Sequence, residues 1–104
     1  MIIVTTPTIP NKEIVEVKGF VKGSTVRAKH LGKDFAAAFK MMAGGELKEY
    51  NEMLVEARQV AMERMVEDAK AQGANAIIGL NITTSAIVQG SAEILAYGTG
   101  VVVQ

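Results

Sequence analysis

Apolar and polar positions alternate from residue 13 to residue 23, with Val15, Val17 and Val21 set against Glu16, Lys18 and Phe20. A period of two is the signature of a strand, and the valines mark its expected inward face. Residues 46–72 contain neither Pro nor Gly and are mostly good helix formers, and Gly73 stands where a left-handed cap belongs, which predicts one long helix. Residues 76–86 are β-branched and alternating: Ile78, Leu80, Ile82 and Thr84 are expected on one face, with Ile77, Asn81, Thr83 and Ser85 off it around Gly79. Residues 91–103 set Leu95, Tyr97, Thr99, Val101 and Val103 against Ile94, Ala96, Gly98, Gly100 and Val102, and Gln89-Gly90 marks the turn joining the two strands. Ahead of the long helix, a basic connector, Arg27-Ala28-Lys29-His30, leads to a short helix predicted over residues 34–43 and closed by Gly44-Gly45; Pro7 and Pro10 flank a short extended opening segment. These elements make a two-layer α+β domain spanning residues 1–104, with one long helix packed on a small antiparallel sheet.

Two patterns exceed what one such domain can bury. On a helical projection Leu47, Tyr50, Leu54, Ala57, Ala61, Met65 and Ala69 form a stripe that Met53 and Val60 widen on one side and Val55, Met62 and Val66 on the other. The apolar arc covers roughly two-thirds of the circumference, against about 100° for an ordinary amphipathic helix. In addition, from residue 71 to residue 104 the only charged side chain is Glu93. A helix covers one face of a sheet, and the second face of a two-layer protein is normally wet and charged. Uncharged exposed strands invite aggregation, so both patterns predict that further copies of the chain cover these surfaces in a closed homo-oligomer.

Composition narrows the field mostly by exclusion. The 11 basic and 11 acidic residues cancel, so no overall field draws the chain to nucleic acid or to a membrane surface. No nucleic-acid partner is expected. The chain has no Cys, which rules out disulfides, thiolate nucleophiles and thiolate metal ligands. No uncharged stretch reaches the roughly 20 mainly apolar residues of a membrane span, and the opening residues lack the basic segment and apolar run of a secretory signal, so a cytoplasmic location is expected.

Few residues offer chemistry. Glu49, Glu52, Glu56, Glu63 and Glu67 share one side of the long helix and could give oxygen ligands to a divalent cation, although a solvated face opposite the apolar stripe is the simpler reading. Met62 and Met65, with Met41 and Met42, supply thioethers of the type that bind Cu(I), but helical Met is usually core filling. Arg27, Lys29, His30 and Lys33 form a candidate anion patch near a helix start, and His30 could meet its copies around a symmetry axis to hold a metal. Arg58 projects into the apolar arc, where a guanidinium needs a partner; Glu93 or a carboxylate of another copy is expected to supply it. Arg58, Tyr50, Glu93 and Tyr97 are thus the candidate polar residues of a pocket between subunits, for an unidentified small ligand or an enzyme site that one subunit lacks. Gly98 and Gly100 leave one strand face bare for close packing and do not make a dinucleotide fingerprint, and no catalytic triad spacing is present. No cofactor is identifiable from these residues.

Several segments together resemble the YbjQ-like family of bacterial and archaeal proteins, some of which carry a provisional heavy-metal-binding label. They are Thr5-Thr6-Pro7-Thr8, Gly44-Gly45 ahead of the Tyr50-bearing helix, Glu56-Ala57-Arg58, the run Gly73-Ala74-Asn75-Ala76-Ile77-Ile78-Gly79, and Tyr97-Gly98-Thr99-Gly100. The resemblance covers nearly the whole chain. It implies a dodecin-like β-α-β-β subunit in a ring-shaped homopentamer, with short extra strands, residues 2–5 among them, joining neighbours. It brings no established activity and no ligand residues. Gly100 stands where the family usually has Ala, a change that bears on local packing.

Overall fold

The computed structural model describes residues 1–28, 48–87 and 91–104, apart from the side chains of residues 28 and 48–50. The short helix expected over residues 34–43 and the Gln89-Gly90 turn lie outside the described residues, as do Lys29, His30 and Lys33. The elements are β1 (Ile2–Ile3), β2 (Ile14–Ala28), α1 (Lys48–Ala71), β3 (Ala76–Ala86) and β4 (Ser91–Val103). They form an α+β arrangement in which α1 lies on a four-stranded sheet of order β1-β3-β4-β2. β4 pairs antiparallel with both long neighbours, while β1 runs parallel to β3, so the sheet is mixed rather than purely antiparallel. β1 joins β3 of its own chain, through Ile2↔Ala76 and Ile3↔Ile77, where the family resemblance had residues 2–5 joining a neighbour.

The helix ends as its sequence dictates. Gly73 adopts φ +87°, and the amide of Ala74 donates to the carbonyl of Ala69 while that of Gly73 donates to Lys70, the double bond of a Schellman cap. β3 and β4 span the ranges read from their alternation. β2 runs on past its expected end at Gly23 to Ala28: Arg27 and Ala28 find partners in Ala92 and Ser91, so they belong to the strand and not to a connector.

Two face assignments are corrected by bulges. In β2 the ladder steps from Ile14 to Glu16 and from Val17 to Gly19, so Val15 and Lys18 are extra residues without ladder partners. An extra residue inverts the alternation beyond it. Val17, opposite Val101, therefore sits on the other face from Val21, opposite Gly98; Val21 is fully buried while Val15 and Val17 are exposed. In β3 the same thing happens between Ile78 and Asn81, where Gly79 has φ +63°. Ile77 joins Leu80 in the core beneath the helix, and Ile78 packs on the opposite face.

Two apolar cores result. Beneath α1 lie Val21, Ile77, Ile94 and Ala96, against Ala57, Ala61, Met65 and Ala69 of the predicted helix stripe. Contact there is backbone to backbone: a Cβ on Gly23 would overlap the amide of Met65 and the carbonyl of Ala61. Gly98 and Gly100 instead make room for neighbours outside the helix, mostly side chains, since Cβ atoms there would press on Ile77 and the Ile78 carbonyl, and on Val21 and Ala74. On the far face Ala76, Val101 and Val103 are covered by Ile9, with Val4 and Ile14 at the margin. The opening segment thus supplies a cover for one half of the face that the sequence left bare.

Candidate functional site

The other half of that face is open. β2 and β4 project onto it Phe20, Lys22, Ser24 and Val26 and, opposite them, Thr99, Tyr97, Leu95 and Glu93, with Val17, opposite the covered Val101, at its margin. β3 adds Asn81, Thr83 and Ser85. Val17 is 64%, Phe20 60% and Val26 57% exposed. The rings of Phe20 and Tyr97 meet diagonally across the strands, their centroids 6.3 Å apart and tilted by 50°. Lys22 and Glu93 are the charges this face carries among the residues named, one opposite Tyr97 and the other opposite Val26.

Of the four candidate pocket residues, the three with described side chains, Arg58, Glu93 and Tyr97, do not converge within one chain. Glu93 and Tyr97 share the open face, flanked in sequence by the inward-facing Ala92, Ile94 and Ala96. Arg58 is on the helix, across the sheet from both, so the expected Arg58–Glu93 pair does not form within the chain. Instead Arg58 is exposed and its Nε donates to the Leu54 carbonyl at 3.2 Å. The projection places Arg58 in the arc by assuming even coverage along the helix, but around it coverage is uneven, with Ala57 fully buried, Leu54 partly buried and Val55 51% exposed. Tyr50 has its backbone in α1, and its side chain lies outside the described set.

Of the anion patch only Arg27 is described. It faces the helix from the end of β2, its Nη2 3.5 Å from Glu56 Oε1, while its buried Nε has no hydrogen-bond partner. Glu56 remains 70% exposed in this pairing, so the contact is a solvent-screened one. Among the described residues no three His, Cys, Asp or Glu side chains come close enough to hold a metal ion. Met62 and Met65 diverge, Met65 being fully buried in the core and Met62 partly buried at its edge. Met62 instead helps to line a shallow depression of about 450 Å³ on the outer flank of α1, together with Gln59, Glu63, Val66, Glu67 and Lys70.

Sequence reasoning missed Asn75. Its side chain pairs with the Val103 backbone as a strand would: Nδ2 donates to the Val103 carbonyl at 3.0 Å, and the Val103 amide donates to Oδ1 at 2.8 Å. Its own amide donates to Val101. The signal available was an Asn between small residues just after a helix cap, at the start of an apolar strand.

Fold and site define an α+β protein of one described helix on a mixed sheet, with an open apolar face and, among the described residues, no assembled metal or catalytic group. The chain belongs to the YbjQ family: the family model, described as "Putative heavy-metal-binding", matches residues 1–104. Similar relatives include a UPF0145 protein of Clostridioides difficile, 58% identical across all of this chain and 93% of its own length. Another, from Fervidobacterium nodosum, is 57% identical across 97% of this chain and 94% of its own length. A crystal structure of a Pediococcus pentosaceus protein of unknown function, assigned to the DUF74 family, matches with a TM-score of 0.62 at 18% identity, over 100% of this chain and 98% of that one. That likeness concerns the fold. Among the described residues the family's metal description finds no assembled donor set: soft metals take thiolate, imidazole or thioether ligands, the chain has no Cys, its one His, Met41 and Met42 lie outside the described residues, and Met62 and Met65 diverge.

Proposed function

We propose that the chain is one domain of a non-enzymatic, cytoplasmic homo-oligomer, a pentamer by family resemblance, that acts as a scaffold or binds a small ligand between subunits. The observation that carries this reading is the open half of the sheet, where Val17, Phe20 and Val26 stand more than half exposed beside one Lys and one Glu. Monomers rarely leave contiguous apolar surface of this kind uncovered. A second copy is the partner that every molecule in solution has available, and closed symmetry satisfies each face once. Glu93, Tyr97, Tyr50 and Arg58 are then the polar groups that neighbouring copies could bring together, with Arg27, Lys29, His30 and Lys33 as a separate anion patch.

Light scattering coupled to size exclusion at micromolar concentration tests the assembly, with a mass of several copies of the 11.1 kDa chain expected. A particle of one chain would overturn it. Native mass spectrometry of the assembly against metals, nucleotides and flavins then separates binding from scaffolding: a retained ligand supports a pocket, and an assembly that retains none removes it. The family description favours one alternative, a metal held by groups from several copies, such as His30 around an axis or the helix carboxylates. That alternative predicts a melting temperature raised by millimolar divalent cation, because a ligand of the folded state alone stabilises it; an unchanged melting temperature removes it.

A further inference from the structure

β2 is the last strand of the sheet on the side away from β1, so alternate residues turn their amide and carbonyl groups outward, where another strand could bind them. Between Phe20 and Ser24 three of these groups are already taken by α1. Gln72 Nε2 donates to the Phe20 carbonyl at 3.1 Å, the Lys22 amide donates to Asp68 Oδ2 at 3.0 Å, and Arg64 Nη1 donates to the Ser24 carbonyl at 2.7 Å. Gln72 also donates to Asp68 Oδ1 at 3.3 Å, which ties two of the three side chains together. The three partners on α1 are spaced by four residues and the three on β2 by two. Four helical residues rise about 6 Å and two strand residues about 6.7 Å, so the rows stay in step over three contacts. The close approach at Gly23, within the row, brings the helix near enough for its side chains to reach over the strand edge.

We propose that Arg64, Asp68 and Gln72 form an edge guard that occupies hydrogen-bonding groups of β2 and prevents strand addition there. The segment it protects needs such a device. Residues 20–26 combine β-branched positions with the exposed Phe20 and Val26, and no Pro interrupts them. Without the guard β2 would template pairing with another copy and the sheet could extend without closing. The inference does not depend on the number of subunits or on any ligand, since it concerns which edge stays out of an interface.

The test compares the full chain with the Arg64→Ala/Asp68→Ala/Gln72→Ala variant and with Asp68→Ala and Asp68→Asn alone. The triple variant should show the circular dichroism of the parent but grow into larger, thioflavin-positive species, while the parent keeps a fixed size. In Asp68→Ala the Lys22 amide should exchange about five- to tenfold faster than in the parent, and Asp68→Asn, which keeps an acceptor oxygen, should restore protection. A folded triple variant with the parent's size overturns the proposal. If the triple variant does not fold, the single variants decide: parent-like exchange at Lys22 in Asp68→Ala overturns it, and faster exchange rescued by Asn supports it.

Discussion

Asn75 shows how much one side chain can fix. By pairing with both backbone groups of Val103 it extends the β3–β4 ladder beyond the first residue of β3 and ties the helix cap to the end of the chain. Asn75→Ala leaves those partly buried groups without partners and should lower the unfolding free energy by about 1–3 kcal/mol in urea titration. Two glycines make a complementary pair of predictions. At Gly23 an added methyl meets helix backbone, which cannot rotate aside, so Gly23→Ala should cost about 3 kcal/mol or more in the same titration, toward the upper range for overpacking. At Gly79 the added methyl meets open space but φ is +63°, so Gly79→Ala should cost about 1–2 kcal/mol through backbone strain, and Gly79→Asn less. The sequence showed Gly23 only as the expected end of a strand and Gly79 as a break inside one, and it could not say which was crowded and which was strained, because that depends on what lies across from them.

The long helix was the most legible element. Its stripe of Ala57, Ala61, Met65 and Ala69 is the buried face, since a regular 3.6-residue period carries directly into which residues meet the sheet. Met65→Ala should therefore cost about 2–5 kcal/mol by calorimetric unfolding, whereas Val55→Ala, at a half-exposed position, should change the stability of the folded chain by less than about 0.5 kcal/mol. The strands were legible in extent but not in facing. A bulge adds one residue without altering the alternating pattern around it, so Val17 and Ile78 were assigned to faces they do not occupy. In β2, Gly19 was a sign of such an insertion, adopting φ +122° beside the second bulge, while no glycine marks the first, at Val15. In β3, Gly79 was such a sign.

For the whole molecule, the uneven charge distribution pointed to a sheet face without water-loving side chains, and the structure locates the open part of it around Phe20, Val26, Leu95 and Tyr97. Phe20→Glu combined with Val26→Glu should shift light-scattering mass toward smaller species while leaving circular dichroism unchanged, since neither residue belongs to a core cluster. The sequence by itself determined the types of the long described elements, the helix stripe and its cap, and the shortage of charge in the last third, because each follows from local period and composition. Tertiary structure alone decided that the opening segment covers half of the far face, that Arg58 and Glu93 lie on opposite sides of the sheet, and that α1 reaches over the edge of β2. Those outcomes depend on bulges, on strand order and on the distance between helix and sheet, which arise only when segments far apart in the chain meet.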